Sequence, residues 1–379
     1  GVEMMKIPEY VPIMKAKQGE FDAIKPIRSE QLEYQIQPTF HPLFEMPNIY
    51  KEGVSRLVDI NSRCEKIGKL WSGNIALVDG YFWKPSEALL ENGEHFLTYT
   101  YNKLFALGVK VVPVIGYDRW FDQMSSLYHQ TMKNLNYPEA PYFCIRLDGE
   151  AMYDIDEPDF FKEQLESIIS DLKLAENNCS ILLDFGDVSV NRITIEQMLS
   201  KSRDFLEVLT EYDFKYISIS GASYPSSVAE AIEDHDTDGP VLRKEMVVWQ
   251  TLRNMFPNVK LKFADHGARH PAPEKQIINQ HTNGKIIYTI DKNYYVVRGH
   301  PFSRDGGSHG HRKQLAMRLI NSIYYEDVSF SWGDNKIFEC AHGINNFIGN
   351  PTQWVAIDTS HHIRYVLEEI GSFELAYQK

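Results

Sequence analysis

PYFCIRLDGE (Pro141–Glu150) and SILLDFGD (Ser180–Asp187), with an amphipathic segment between them, decide the fold. Each is a short run of alternating or wholly apolar residues, the pattern of a strand buried on both faces. Each ends in carboxylates: Asp148 and Glu150 in the first, Asp184 and Asp187 in the second. Phe161, Leu165, Ile168, Ile169 and Leu172 recur between them at helical spacing. This is a β-α-β unit with charge at the carboxyl ends of its strands.

The same unit extends in both directions. Upstream lie YVPIMKA (10–16), HPLFEMP (41–47), NIALVDGYF (74–82) and VKVVPVIGYDRW (109–120), downstream KYISISGASYP (215–225) and VKLKFADHGARHP (259–271). Helical patterns separate them, among them one built on Ile195, Met198, Leu199, Leu206 and Leu209. Eight strands alternating with helices in roughly 260 residues match a closed (β/α)8 TIM-like barrel of class α/β. An open doubly wound sheet is the competitor, but it usually carries a glycine-rich first βα turn. The turn here is KAKQGEF (15–21). The barrel is therefore expected over residues 5–274, with 275–379 as a C-terminal α+β extension packed on it. That extension opens with a hairpin in KIIYTIDKNYYVVRGH (285–300), set over one end of the barrel, and a helix over His311–Ser322 follows. His361 and His362, after Ser360, read as a helix start with one ring exposed and one packed. Trp332, Trp354 and the GNP turn at 349–351 read as structural.

Composition sets the outer bounds. The 379 residues are 43% hydrophobic and 24% charged, with a net charge of −13, which opposes nonspecific duplex binding and makes a nucleic-acid partner unexpected. No apolar run reaches the roughly 20 residues of a membrane span, and no signal peptide opens the chain. Met4 or Met5 is read as the natural start. Cys64, Cys144, Cys179 and Cys340 lie far apart without a C-x-x-C pair, which indicates reduced structural thiols and a cytoplasmic protein.

In a barrel of this kind the strand ends converge on one face, where catalytic groups sit. Reading that rim gives Lys15, Lys17, Glu45, Asp79, Asp118, Arg119, Arg146, Asp148, Asp184, Asp187, Ser220, Asp265 and His266. Asp148, Asp184, Asp265 and His266 are the candidate catalytic groups. Asp148, Asp184 and Asp187 could supply oxygen ligands to Mg²⁺, the expected cofactor if there is one. The lysines and arginines, with Glu45, Asp79, Asp118 and Ser220, would hold an anionic small molecule or nucleotide, and hydrolysis of a phosphate ester follows as the candidate reaction. The bland alternative is that charges end strands because loops are solvated. Alternation singles out one pair. Cys144, Arg146 and Asp148 share one face of their strand and should point into the barrel, while Phe143, Ile145 and Leu147 meet helices. An interior arginine and aspartate must be paired to be tolerated.

In GHPFSRDGGSHGHR (299–312), glycines and a helix start could cradle an anion beside His309 and His311. A mobile surface loop is the alternative. Lys15 and Lys17 also admit a Schiff-base lysine holding pyridoxal phosphate, with nothing else to support it. The chain has no G-x-S-x-G, P-loop or H-E-x-x-H motif, and no His-x-His in its first strand.

Tyr10, Pro12, Lys15, Lys17, Gly19, Glu20 and Ala23, followed by PLFEMP (42–47), resemble the opening of the Beta protein family of bacteria, prophages and satellite phages. SWGD (331–334), the Gly349–Asn350 pair followed by Trp354, and SHH (360–362) are similar to its C-terminal pattern. The resemblance covers both chain ends. It implies a phage-defence or prophage locus and a partner protein from that locus that the Beta protein restrains. It carries no reaction and no catalytic residues. A non-catalytic scaffold or antitoxin-like binder is therefore the alternative to an enzyme.

Overall fold

Eight parallel strands close into a barrel, and the helices between them form its outer ring. The computed structural model describes residues 7–28, 40–135, 139–189, 191–272, 282–305 and 309–377. The strands in chain order are β1 (Tyr10–Lys15), β2 (Leu43–Glu45), β3 (Ile75–Asp79), β4 (Lys110–Gly116), β5 (Phe143–Leu147), β6 (Cys179–Asp187), β7 (Ile217–Ala222), β8 (Asp238–Leu242) and β9 (Leu261–Asp265). All but β8 belong to the barrel, which closes through β9 on β1. The first ten helices are α1 (Gln18–Arg28), α2 (Arg56–Trp71), α3 (Phe96–Ala106), α4 (Tyr117–Trp120), α5 (Ser126–Lys133), α6 (Ala151–Asp154), α7 (Pro158–Asp171), α8 (Ile195–Leu209), α9 (Val228–Ala231) and α10 (Lys244–Met255).

Local sequence explains where these elements begin. Ser55 caps α2 by accepting the Val58 amide, and Thr194 with Gln197 forms a reciprocal capping box at α8. Pro158 opens α7, where a missing N–H costs nothing. Strand alternation divides the core in two. Val11, Ile13, Leu43, Leu77, Val112, Val114, Cys144 and Leu182 fill the barrel, while Ile145, Leu147, Ile181 and Leu183 face the helices. Cys144 thus lies inside, on the face assigned by alternation.

The C-terminal region adds β10 (Asn283–Ile290), β11 (Asn293–Pro301), α11 (His309–Ile320), α12 (Trp332–His342) and α13 (Pro351–Tyr377). The hairpin β10–β11 is antiparallel, as its sequence indicates, and Tyr294 at its tip donates to the Gly267 carbonyl beyond β9 at 2.6 Å. Its third strand is β8, which comes from between the seventh and eighth barrel strands and has no strand signature in the sequence. DGPVL alternates exposed with half-buried residues and contains Gly239 and Pro240, so it has no buried apolar face to announce it. The last helix also starts elsewhere than its sequence suggests. Ser360, His361 and His362 do not start it. They lie inside the 27-residue α13, and both rings are fully buried. Asn350 is the actual cap, exchanging hydrogen bonds with Gln353. Among the described residues no helix is long and apolar enough to cross a membrane, and all four cysteines are buried free thiols.

Candidate functional site

Parallel register places Lys15, Glu45 and Asp79 side by side at the ends of β1, β2 and β3. Arg146, from β5, is fully buried and reaches across the barrel mouth to meet them. Its Nη1 donates to Glu45 at 2.8 Å and to Asp79 at 3.0 Å, while Nε and Nη2 both reach Asp184 Oδ2, at 3.0 and 2.6 Å. Arg119, from the short α4, forks onto both oxygens of Asp79. It folds back over Gly116, where a Cβ would fall 2.1 Å from its guanidinium. His266, just beyond β9, bonds the other oxygen of Asp184 through Nε2 at 3.1 Å. The ring of Tyr81 roofs the group, its centroid 4.3 Å from the Arg146 guanidinium carbon.

The two carboxylates beside Arg146 are driven apart. Burial pushes Asp148 up to about 6 against the pull of Arg119 and Arg146. Burial acts on Asp184 too, but Arg146 and His266 outweigh it and hold that carboxyl well below the ordinary range. An ionised carboxylate and a protonatable one at neighbouring strand ends can divide acid and base roles between them. Asp148 keeps a hydrogen bond from the Asp118 amide at 3.2 Å, and Asp118 in turn accepts from the Glu150 amide at 3.0 Å. Gly149 makes this interlock possible. Its φ is +49°, and a Cβ there would lie 2.4 Å from the Asp118 carboxyl carbon.

A cavity of about 620 Å³ opens beside the mouth on the β1–β2 side. Its cations are Lys15, Lys17, Lys51, Arg63 and Lys66, against the carboxylates Glu20 and Asp59. Lys15 donates to the carbonyls of His270 at 3.0 Å and Ala272 at 2.6 Å, so the segment after β9 is tied across to β1. Phe82 lines the cavity and packs edge-on against Tyr81 with centroids 5.4 Å apart, which joins cavity and roof.

Other sequence-derived candidates lie elsewhere. Asp187 does not join Asp148 and Asp184. It pairs with Arg192 and takes hydrogen bonds from Ser189 and His270, and against the effect of burial these hydrogen bonds lower its pKa. Ser220 sits beside Asp184 in register, fully buried, with no partner for its hydroxyl among the described residues. Asp265 turns toward the extension. It accepts from Tyr10 at 2.5 Å, His362 at 2.7 Å and the Gly267 amide at 3.0 Å. His311 lies in the first turn of α11 against His300, while the side chain of His309 is outside the described residues.

Tyr81, Lys51, Arg63 and Lys66 were not among the sequence-derived candidates. Tyr81 lies two residues beyond a strand-end aspartate, a signal that was available. The cavity cations come from a loop and from α2, with no pattern to mark them. Also unforeseen is the role of the terminal motifs. His361 Nε2 donates to the Thr289 carbonyl at 2.7 Å, and its Nδ1 meets Asp334 at 2.9 Å. Asp334 also accepts from Tyr288 at 2.5 Å and Ser331 at 2.6 Å. Thr289 closes the chain onto His362 at 2.6 Å, and so onto Asp265 and Tyr10. The polar residues of SWGD and SHH thus wire the extension to the barrel.

Two comparisons with known proteins bear on the chain. The chain is 22% identical over 191 residues to "Protein beta" of Enterobacteria phage P4, a match covering 50% of this chain and 51% of that protein. The chain thus spans about half the length of this curated relative. The family model described as Beta protein matches residues 10–368, nearly the whole barrel and extension. On that match the chain belongs to the Beta protein family.

Proposed function

We propose that this Beta-family barrel binds an anionic small molecule, a phosphate ester or nucleotide, and hydrolyses it at the mouth. The observation that carries the reading is the buried group around Arg146, in which Asp148 and Asp184 differ in proton affinity while His266 is oriented by Asp184. The lysine-lined cavity would hold the anion next to that group. Asp184 then positions His266, which takes the proton from the attacking water, and Asp148 gives a proton to the leaving oxygen. A Mg²⁺ ion among Asp148, Asp184 and Asp187 would compete with Arg146 and Arg192 for those carboxylates. The test is product release from a panel of nucleotides and phosphate esters, with and without Mg²⁺. Asp148→Asn should still bind its ligand and lose about 10²- to 10⁴-fold in turnover. Undiminished turnover in that variant, or none with any ligand that binds, overturns the hydrolytic role.

A second observation favours a non-catalytic partner-binding role. Ile323 is 91% exposed, with Tyr324 beside it, at adjoining cavities of about 500 and 420 Å³ that share Asp291, Glu326 and Tyr365. An apolar anchor on an acidic surface suits a basic protein segment. Retention of a partner protein by a variant that has lost all small-molecule binding would favour this reading.

A further inference from the structure

We propose that Asp236, His300 and His311 form a site for a transition-metal dication of the zinc type. One donor atom from each lies within 4.8 Å of the other two. The three come from different segments: the turn before β8, the end of β11 and the first turn of α11. Two imidazoles and one carboxylate suit Zn²⁺ and its borderline neighbours, whereas Mg²⁺ and Ca²⁺ prefer all-oxygen sets. Three protein ligands leave a fourth position, and the side chain of Asp236 is 43% exposed, so water and the ion have a way in.

The surrounding chain fixes all three groups. Arg298 donates to the carbonyls of Ile232 and Glu233, both at 2.7 Å, and Arg318 donates to that of Asp236 at 2.8 Å. The Asp236 amide donates to the Gly299 carbonyl at 3.1 Å. These bonds hold Asp236 at φ +56°, a left-handed conformation that aspartate tolerates better than most residues, and its carboxylate then meets His300 Nδ1 at 2.7 Å. The His311 ring is seated against two glycines. A Cβ on Gly299 would lie 1.8 Å from its Nε2, and one on Gly284 would lie 2.9 Å from its Cδ2. Without an ion the group is held by the Asp236–His300 bond and by the His300 amide on His311 Nε2 at 3.1 Å. An ion bound through His300 Nδ1 would displace the Asp236–His300 hydrogen bond and its proton, so its affinity should fall as pH falls. The site shares no residue with the barrel mouth.

The test uses the full chain, freed of metal with a chelator and titrated with Zn²⁺ against a chromophoric competitor, then with Co²⁺ for its visible absorption. One equivalent of Zn²⁺ is expected, with the intense Co²⁺ bands of a four-coordinate site. Asp236→Asn and His300→Gln should each weaken Zn²⁺ by more than about tenfold. Asp236 is half-exposed and asparagine keeps its shape, so that variant should melt like wild type without metal. Equal Zn²⁺ affinity in wild type and both variants, no stoichiometric uptake, or a preference for Mg²⁺ would overturn the assignment.

Discussion

Arg146 collects three carboxylates from three other strands inside a barrel, and such a group has to offset the desolvation of every charge in it. Asp148 lies beside this group with no direct ion pair of its own among the described residues, and burial is the largest influence on it. Its pKa of about 6 in the folded chain, against an ordinary 3.8, means that the native state binds the extra proton between those values. Stability from this group is fully present below about pH 4 and lost as pH rises through about 6. Asp148→Asn keeps an acceptor for the Asp118 amide. It is predicted to match wild type near pH 4 and to exceed it at pH 7.5 by on the order of 2–3 kcal/mol. Urea midpoints at the two pH values check this, and equal differences at both would contradict it. The burial of both residues was legible in the sequence, because strand alternation alone turns Arg146 and Asp148 inward, but among the described residues the two do not pair with each other. The partners were not, since nothing local says that Glu45, Asp79 and Asp184 converge on one guanidinium. That follows only from closure of the sheet.

Among the elements, α13 gathers the motifs of both chain ends. Gly19 on α1 approaches it so closely that a Cβ would lie 2.8 Å from Val355, and a Cβ on Gly333 of α12 would lie 2.3 Å from the Ile357 carbonyl oxygen. Gly349, just before it, has φ +80° and packs under Trp354, whose indole donates to the Ile348 carbonyl at 2.9 Å. The glycines of the opening segment, of SWGD and of the final turn are therefore contact points for one helix. Gly333→Ala is predicted to cost about 1–3 kcal/mol, as overpacking against backbone does. Gly371, also on α13, has nothing within 4 Å of its Cβ position, and Gly371→Ala should stabilise by up to about 1 kcal/mol through helix propensity. Paired thermal melts decide both, and the same sign for the two would contradict this packing. The sequence displayed these motifs but not their meaning, because a glycine at a helix crossing looks like any other until its neighbour is placed.

At the scale of the whole molecule, barrel and extension share a sheet and a buried hydrogen-bond chain. β8 leaves the barrel half to pair with β11, and His362 of α13 holds Asp265, which also holds Tyr10. A fragment of residues 5–274 is therefore predicted to lack a cooperative unfolding transition, whereas one that melts like the full chain would contradict the coupling. The barrel was readable because its strands are short, mostly apolar runs and nearly every one ends in a charged group. β8 was not, because a half-exposed strand with glycine and proline has no such signature. The lysine cavity was half-readable: Lys15 and Lys17 sit in the first strand-to-helix turn, while Lys51, Arg63 and Lys66 reach it only through the fold. That cavity is where the functional reading is most exposed to test. Calorimetric titration of the full chain with nucleoside triphosphates and pyrophosphate, on wild type and a Lys17→Ala/Lys66→Ala variant, addresses it directly. Wild type is predicted to bind saturably, with an affinity that weakens with salt and falls at least about tenfold in the variant. No saturable binding of any of these anions, or binding that the variant leaves unchanged, would contradict it.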